Sequence, residues 1–124
     1  MRMTEIYRTT VRDAGPMAEA FVAEGMFVTF GTNAPEALRE FCYIVEVNPT
    51  TAEVTPGQQF TVDGRSFPIT AVGDVAQRNL ESLGHITVNI DGDTEPRMAG
   101  AIHIRCEGPA PEITIGSVLT IEAA

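Results

Sequence analysis

Gln59-Phe-Thr-Val-Asp-Gly-Arg-Ser-Phe-Pro-Ile-Thr-Ala-Val72 decides the fold class. Two runs rich in Phe, Val, Ile and Thr flank Asp63-Gly64. A two-residue hairpin turn demands positive φ at both central positions, and Asp-Gly supplies it because glycine has no Cβ to clash and aspartate tolerates the left-handed region. The stretch therefore predicts a hairpin pairing Gln59–Val62 with Arg65–Val72. Working outward, the same grammar recurs. Ile86, Val88 and Ile90 alternate with His85, Thr87 and Asn89, and Asp91-Gly92 closes that segment. Ile102, Ile104 and Cys106 alternate with His103 and Arg105, and Tyr43, Val45 and Val47 alternate with Cys42, Ile44 and Glu46. Period two places the first set of each group on a core face and the second set opposite. Further strands are predicted at Glu5–Val11, Met26–Phe30 and Val118–Glu122. Three helical pieces interrupt them: Pro16–Glu24 ending at Gly25, Pro35–Glu40 behind a candidate Asn33 cap, and Val75–Leu83 ending at Gly84.

The first run of the hairpin belongs to a repeat. Val54–Asp63 lies over Ile113–Glu122 at a shift of 59 residues, with three identities (Thr55/Thr114, Gly57/Gly116, Thr61/Thr120). The same shift puts Gly25 over Gly84 and the Tyr43/Val45/Val47 stripe over Ile102/Ile104/Cys106. Two similar halves would pair about a pseudo-two-fold axis, and closing them into one barrel removes the free edges an open sheet leaves. The expected fold is all-β: a small closed barrel of six or more strands with a pseudo-two-fold repeat and two or three short helices. No linker divides the 124 residues, so residues 1–124 read as one domain.

Composition narrows the chemistry. The chain carries 17 acids against 8 bases, a net charge of −9, and all eight bases are arginines. Without lysine there is no Schiff-base amine, no P-loop lysine and no Ser-Lys dyad. The acidic balance argues against sequence-independent nucleic-acid binding, which needs clustered bases to displace counterions from phosphates. It argues equally against an anionic membrane surface. No run approaches 18 apolar residues and Met1–Tyr7 has no signal-like apolar core, so a cytoplasmic protein without membrane insertion is expected. Cys42 and Cys106 stand apart and read as free thiols. No CxxC or HxxxH spacing suggests a metal, and no glycine-rich phosphate loop suggests a cofactor.

Few side chains remain as candidates. His85 follows Gly84 at the head of a strand, where an imidazole serves as nucleophile, base or ligand, or simply bonds nearby backbone. His103 reads as a half-exposed strand residue, Cys42 as a buried, inert thiol, and Asp91, Asp93 and Glu95 as a solvated acidic loop. The residues alone leave a β domain with one candidate histidine site and no stated reaction.

Several blocks together resemble the glucitol/sorbitol-specific IIA component of the phosphoenolpyruvate-dependent sugar phosphotransferase system (PTS). They are Ala34–Ile44, Pro56–Phe60, Phe67–Gly73, Asn79–Val88, Ile102–Ile104 and Gly116–Leu119, in the family's order along nearly the whole chain. The resemblance implies a cytoplasmic β-barrel that receives phosphate from a phosphohistidine carrier protein and passes it to the IIB component for uptake through IIC. It also implies a phosphoacceptor histidine directly after the Cys-aromatic-Ile motif, which here is Cys42-Tyr43-Ile44. The position is occupied by Val45, which has no lone pair to accept a phosphoryl group. His85 matches the Leu-Gly-His block, either as an assisting imidazole or as the acceptor itself; His103 and Cys42 also fall at matched positions. Glu46, the next residue, offers a carboxylate. A non-catalytic binding or regulatory module on the same barrel is the alternative, and short barrel edges would support a homodimer.

Overall fold

The computed structural model describes residues 3–124, so Met1 and Arg2 lie outside it. Among the described residues eight strands and three short helices alternate. They are β1 (Thr4–Ala14), α1 (Ala18–Ala23), β2 (Met26–Phe30), α2 (Glu36–Arg39), β3 (Tyr43–Val45), β4 (Gln59–Val62), β5 (Arg65–Val72), α3 (Ala76–Leu83), β6 (Ile86–Asn89), β7 (Ala101–Ile104) and β8 (Val118–Ala123). The strands close into a barrel in the order β1-β3-β2-β6-β7-β5-β4-β8. The β2–β3 and β6–β7 pairs are parallel and every other pair is antiparallel. The predicted hairpin joins β4 to β5 with the expected bounds, and Asp63 and Gly64 take φ of 49° and 86°. Long β1 pairs with β8 through its first part and with β3 through its last. Register shifts at Glu5/Tyr7 and Val11/Asp13 bend it round the barrel wall.

The repeat is built into this topology. Exchanging β1 with β5, β3 with β7, β2 with β6 and β4 with β8 reproduces the strand order read in reverse. The axis crosses the barrel wall between β4 and β8, where Thr61 pairs with Thr120, the residue 59 positions later, and their hydroxyls hydrogen-bond. It crosses the opposite wall between β2 and β6, where Val28 pairs with Thr87 at the same spacing. In the first strand and helix of each half the spacing is 58: α1 and α3 begin at Ala18 and Ala76, both buried. The closed barrel leaves no free edge strand for a homodimer built by strand addition.

The barrel interior holds an apolar cluster in which the Phe27 ring lies 5.8 Å from Phe60 and 6.4 Å from Tyr43, with Val45, Ile102, Ile104 and Ile121 packed around them. Several predicted outer faces are buried as well. Cys42 and Ile44 pack outside the barrel with Phe30 and Ala34 in a second cluster beside α2. His103 is 1% exposed rather than half-exposed, because the loop from Asp91 to Gly100 folds over it. Val47 leaves the apolar stripe: β3 ends at Val45, and Val47 is exposed. Asn33 does not cap α2, whose N-terminal end carries no side-chain cap; instead Arg39 Nη2 donates back to the Thr32 and Ala34 carbonyls. None of the described helices is long and apolar enough to cross a membrane.

Candidate functional site

His85 stands where α3 gives way to β6, and three chain segments fix it there. Gly84 ends α3 in the left-handed conformation at φ 66°. A Cβ at this position would sit 3.1 Å from Gly31 N and 3.3 Å from Val45 Cγ2, so only glycine lets the three segments approach. The Gly84 carbonyl accepts the buried Thr29 hydroxyl at 2.8 Å, and the Leu83 carbonyl accepts Gly31 N–H at 2.8 Å. The end of β2, the α3–β6 junction and β3 are thereby drawn together.

The imidazole is half-buried and stacks on Phe30, with centroids 4.3 Å apart and planes 26° from parallel. Its Nδ1 lies 3.1 Å from the Thr29 carbonyl oxygen. A carbonyl only accepts, so Nδ1 carries the hydrogen. In the neutral ring the lone pair is then on Nε2, which has no hydrogen-bond partner among the described residues. Backbone contact and ring stacking together set the tautomer and the plane of the ring. Exposed Val47 and Leu83 close on Gly31, the residue after Phe30. Val45 itself is wholly buried in the barrel core, touching the glycine that precedes His85.

The remaining candidates are arranged differently. His103 is fully engaged: Nδ1 donates to Asp91 Oδ1 at 2.8 Å, and Nε2 accepts the Arg97 backbone N–H at 3.4 Å. Both nitrogens therefore serve to fasten the loop. The acidic loop is mostly exposed, as a solvated loop is expected to be, and is tied down by hydrogen bonds. Burial pushes the Asp91 carboxyl up, but the Asp93 N–H and the His103 ring outweigh it and hold the carboxyl below its ordinary value. Asp93 takes the Arg97 guanidinium at 2.7 Å. Glu46 lies on the outer side of the chain next to Val45, paired to Arg12 at 2.7 Å. Cys42 is buried, and burial pushes its thiol up, away from reactive thiolate. Both cysteines are free. No group of three or more His, Cys, Asp or Glu side chains placed to hold a metal occurs among the described residues.

Residues 6–120 match the family described as the PTS system glucitol/sorbitol-specific IIA component. The chain belongs to that family. It is 39% identical over 122 residues to the PTS system glucitol/sorbitol-specific EIIA components of Shigella flexneri and of Escherichia coli strain K12, covering 98% of this chain and of each relative. Its fold compares with the crystal structure of a PTS system IIA component from Enterococcus faecalis V583 at a TM-score of 0.78. That likeness covers 91% of this chain and 97% of the other at 24% identity.

Within this IIA domain, the position at which the sequence resemblance places the acceptor histidine is thus an interior valine, and the one imidazole with a free nitrogen is its neighbour across Gly84. Sequence reasoning singled out His85 but missed what orients it. Thr29, Phe30 and Gly31 carry no catalytic signature; their signal is a strand ending in glycine, matched by the glycine before His85.

Proposed function

We propose that this chain works as a IIA phosphocarrier in the cytoplasm, as a single domain, with His85 Nε2 accepting the phosphoryl group in place of the histidine absent at position 45. The phosphoryl group comes from a phosphohistidine carrier protein and leaves to a IIB component, which serves the membrane component IIC. One observation supports His85 above the others: its Nδ1–H is committed to the Thr29 carbonyl while Nε2 has no partner among the described residues, on a ring that follows the glycine packed against Val45.

Nε2 uses its lone pair to form the new P–N bond, the carrier's P–N bond breaks, and the carrier's ring recovers the electron pair. The His85 Nδ1–H remains bonded to Thr29 throughout, so the ring does not turn as the phosphoryl group arrives. A homodimer is not part of this proposal. The test is to incubate the chain with labelled phosphoenolpyruvate, enzyme I and the histidine carrier protein. Acid-labile, base-stable label is expected on the wild type and on His103→Asn, and none on His85→Gln. An unlabelled wild type, or full labelling of His85→Gln, overturns it.

A further inference from the structure

The two halves of the barrel differ at one point that the phosphoryl site does not use. In the second half, α3 is clasped to the segment preceding β4. Gln77 Oε1 accepts Val54 N–H at 2.9 Å, its Nε2 donates to the Ala52 carbonyl at 3.0 Å and to Thr50 Oγ1 at 2.8 Å, and the Thr50 hydroxyl bonds Glu81. Beneath the clasp, Ile102 is wholly buried.

The first half replaces every side-chain member of this clasp. Helix α1 begins 58 residues before α3, so Glu19 stands where Gln77 does and Ala23 where Glu81 does. Across the 59-residue spacing of the following strands, Pro109 replaces Thr50 and Tyr43 replaces Ile102. A carboxylate cannot donate to a carbonyl as the Gln77 amide does, and alanine and proline contribute nothing. No hydrogen bond joins α1 to residues 110–114 among the described residues.

What remains is a cavity of about 330 Å³ between α1 and that segment, lined by Glu19, Val22, Ala23, Tyr43, Pro111 and Ile113. Tyr43 is 2% exposed, yet its hydroxyl has no hydrogen-bond partner among the described residues and reaches this cavity. No unpartnered side-chain oxygen is buried among the described residues, so this hydroxyl is open to the cavity, where a donor can meet it. Tyr43 points into the barrel core, so the cavity is the open end of the barrel under α1. Barrel mouths of this size are common places for small ligands. Burial and the Glu19 carboxylate both raise the Tyr43 phenol, which stays a neutral hydroxyl. Glu112 adds a second carboxylate, and no basic side chain lines the space. An anion is therefore repelled there. An ammonium group is matched by the Glu19 carboxylate and the Tyr43 oxygen, with a short alkyl chain on Val22, Pro111 and Ile113.

We propose that the barrel mouth over Tyr43 binds a small primary alkylammonium, with Glu19 holding the cation and Tyr43 accepting one of its hydrogens. This site is independent of His85. The probe is n-butylammonium chloride, titrated into the full chain and followed by amide NMR, with n-butanol and butyrate as the neutral and anionic counterparts. Saturable shifts are expected at residues 19–23, 43 and 110–114, and they persist in His85→Gln. Glu19→Gln removes the charge and supplies the amide of the Gln77 clasp. It should weaken binding about tenfold or more and slow exchange of the Ile113 amide. Tyr43→Phe keeps the ring in the core and should weaken binding severalfold. No saturable shift, equal binding of n-butanol or butyrate, or unchanged affinity in Glu19→Gln would each overturn the proposal.

Discussion

Alkaline titration probes the barrel interior directly, because a chain without lysine has few groups that change charge in that range. Tyrosine and cysteine are the side-chain types, besides lysine, whose ordinary ionisation falls between about pH 8 and 11, and the chain has two of each. Tyr7 lies in β1, 3% exposed, inside the core cluster. Burial pushes its phenol from 10.0 up to about 12, against a smaller opposing pull from Thr9. Tyr43 and Cys42 are displaced in the same direction, each chiefly by burial. The folded protein therefore holds these protons longer than the unfolded chain does. Below about pH 10 both states keep the Tyr7 proton, and its contribution to stability is complete. As pH rises past that point the unfolded chain ionises first, and stability falls by roughly 1.4 kcal/mol per pH unit for each such group. The fall from Tyr7 ends when the folded phenol also ionises near 12. Over that window Tyr7 alone accounts for a loss of ~2–3 kcal/mol, against the ~5–15 kcal/mol that holds an ordinary domain together. Urea midpoints measured at constant ionic strength should stay nearly level up to about pH 9 and drop steeply above about pH 10. Tyr7→Phe should drop less steeply by the Tyr7 share. A Tyr7→Phe protein that loses stability as fast as the wild type refutes the reasoning.

Other perturbations address the site and its support. Gly84→Ala forces a side chain into a positive-φ position against Gly31 and Val45; urea unfolding should show a loss of ~2–4 kcal/mol, with phosphoryl labelling reduced at temperatures where the protein is still folded. Thr29→Val keeps the shape but strips the Gly84 carbonyl of its donor, which should lower stability by ~1–3 kcal/mol while labelling persists, because His85 bonds the Thr29 backbone. His103→Asn should release the 91–99 loop, seen as loss of hydrogen-exchange protection at the Arg97 amide, with labelling unchanged. Phe27→Ala removes the ring shared by Phe60 and Tyr43 and should lower stability by ~3–5 kcal/mol by thermal or urea unfolding.

Local chemistry made the β4–β5 hairpin legible, because Asp63-Gly64 states its own backbone angles. The repeat was legible too, since duplicated strands keep their alternation and their turn glycines. The parallel pairs β2–β3 and β6–β7 were not. A parallel pair is joined through a long connection, and no short motif announces which strand it will meet. Burial of Cys42, Ile44 and His103 escaped alternation for a related reason. Period two tells which residues share a face, but a face pointing away from the barrel is buried whenever a helix or loop folds across it, as α2 and the 91–99 loop do. His85 was visible as a residue; the commitment of its Nδ1 was not, because the partner is a backbone carbonyl 56 residues away.

Duplication also explains why the two candidate sites occur once each in a symmetric scaffold. Under the 59-residue exchange His85 maps to Met26, Phe30 to Asn89 and Thr29 to Val88. The second position keeps the turn glycine, Gly25, but has no imidazole, no stacking ring and no hydroxyl to hold the turn. Conversely, Tyr43 and Glu19 map to Ile102 and Gln77, and there the clasp fills the space that the first half leaves open. The backbone supplies two equivalent settings of each kind, and side-chain substitution equips only one. Function in this barrel is therefore best located where the halves differ. Where they agree, as at Thr61 and Thr120, the residues pair with each other and hold the halves together.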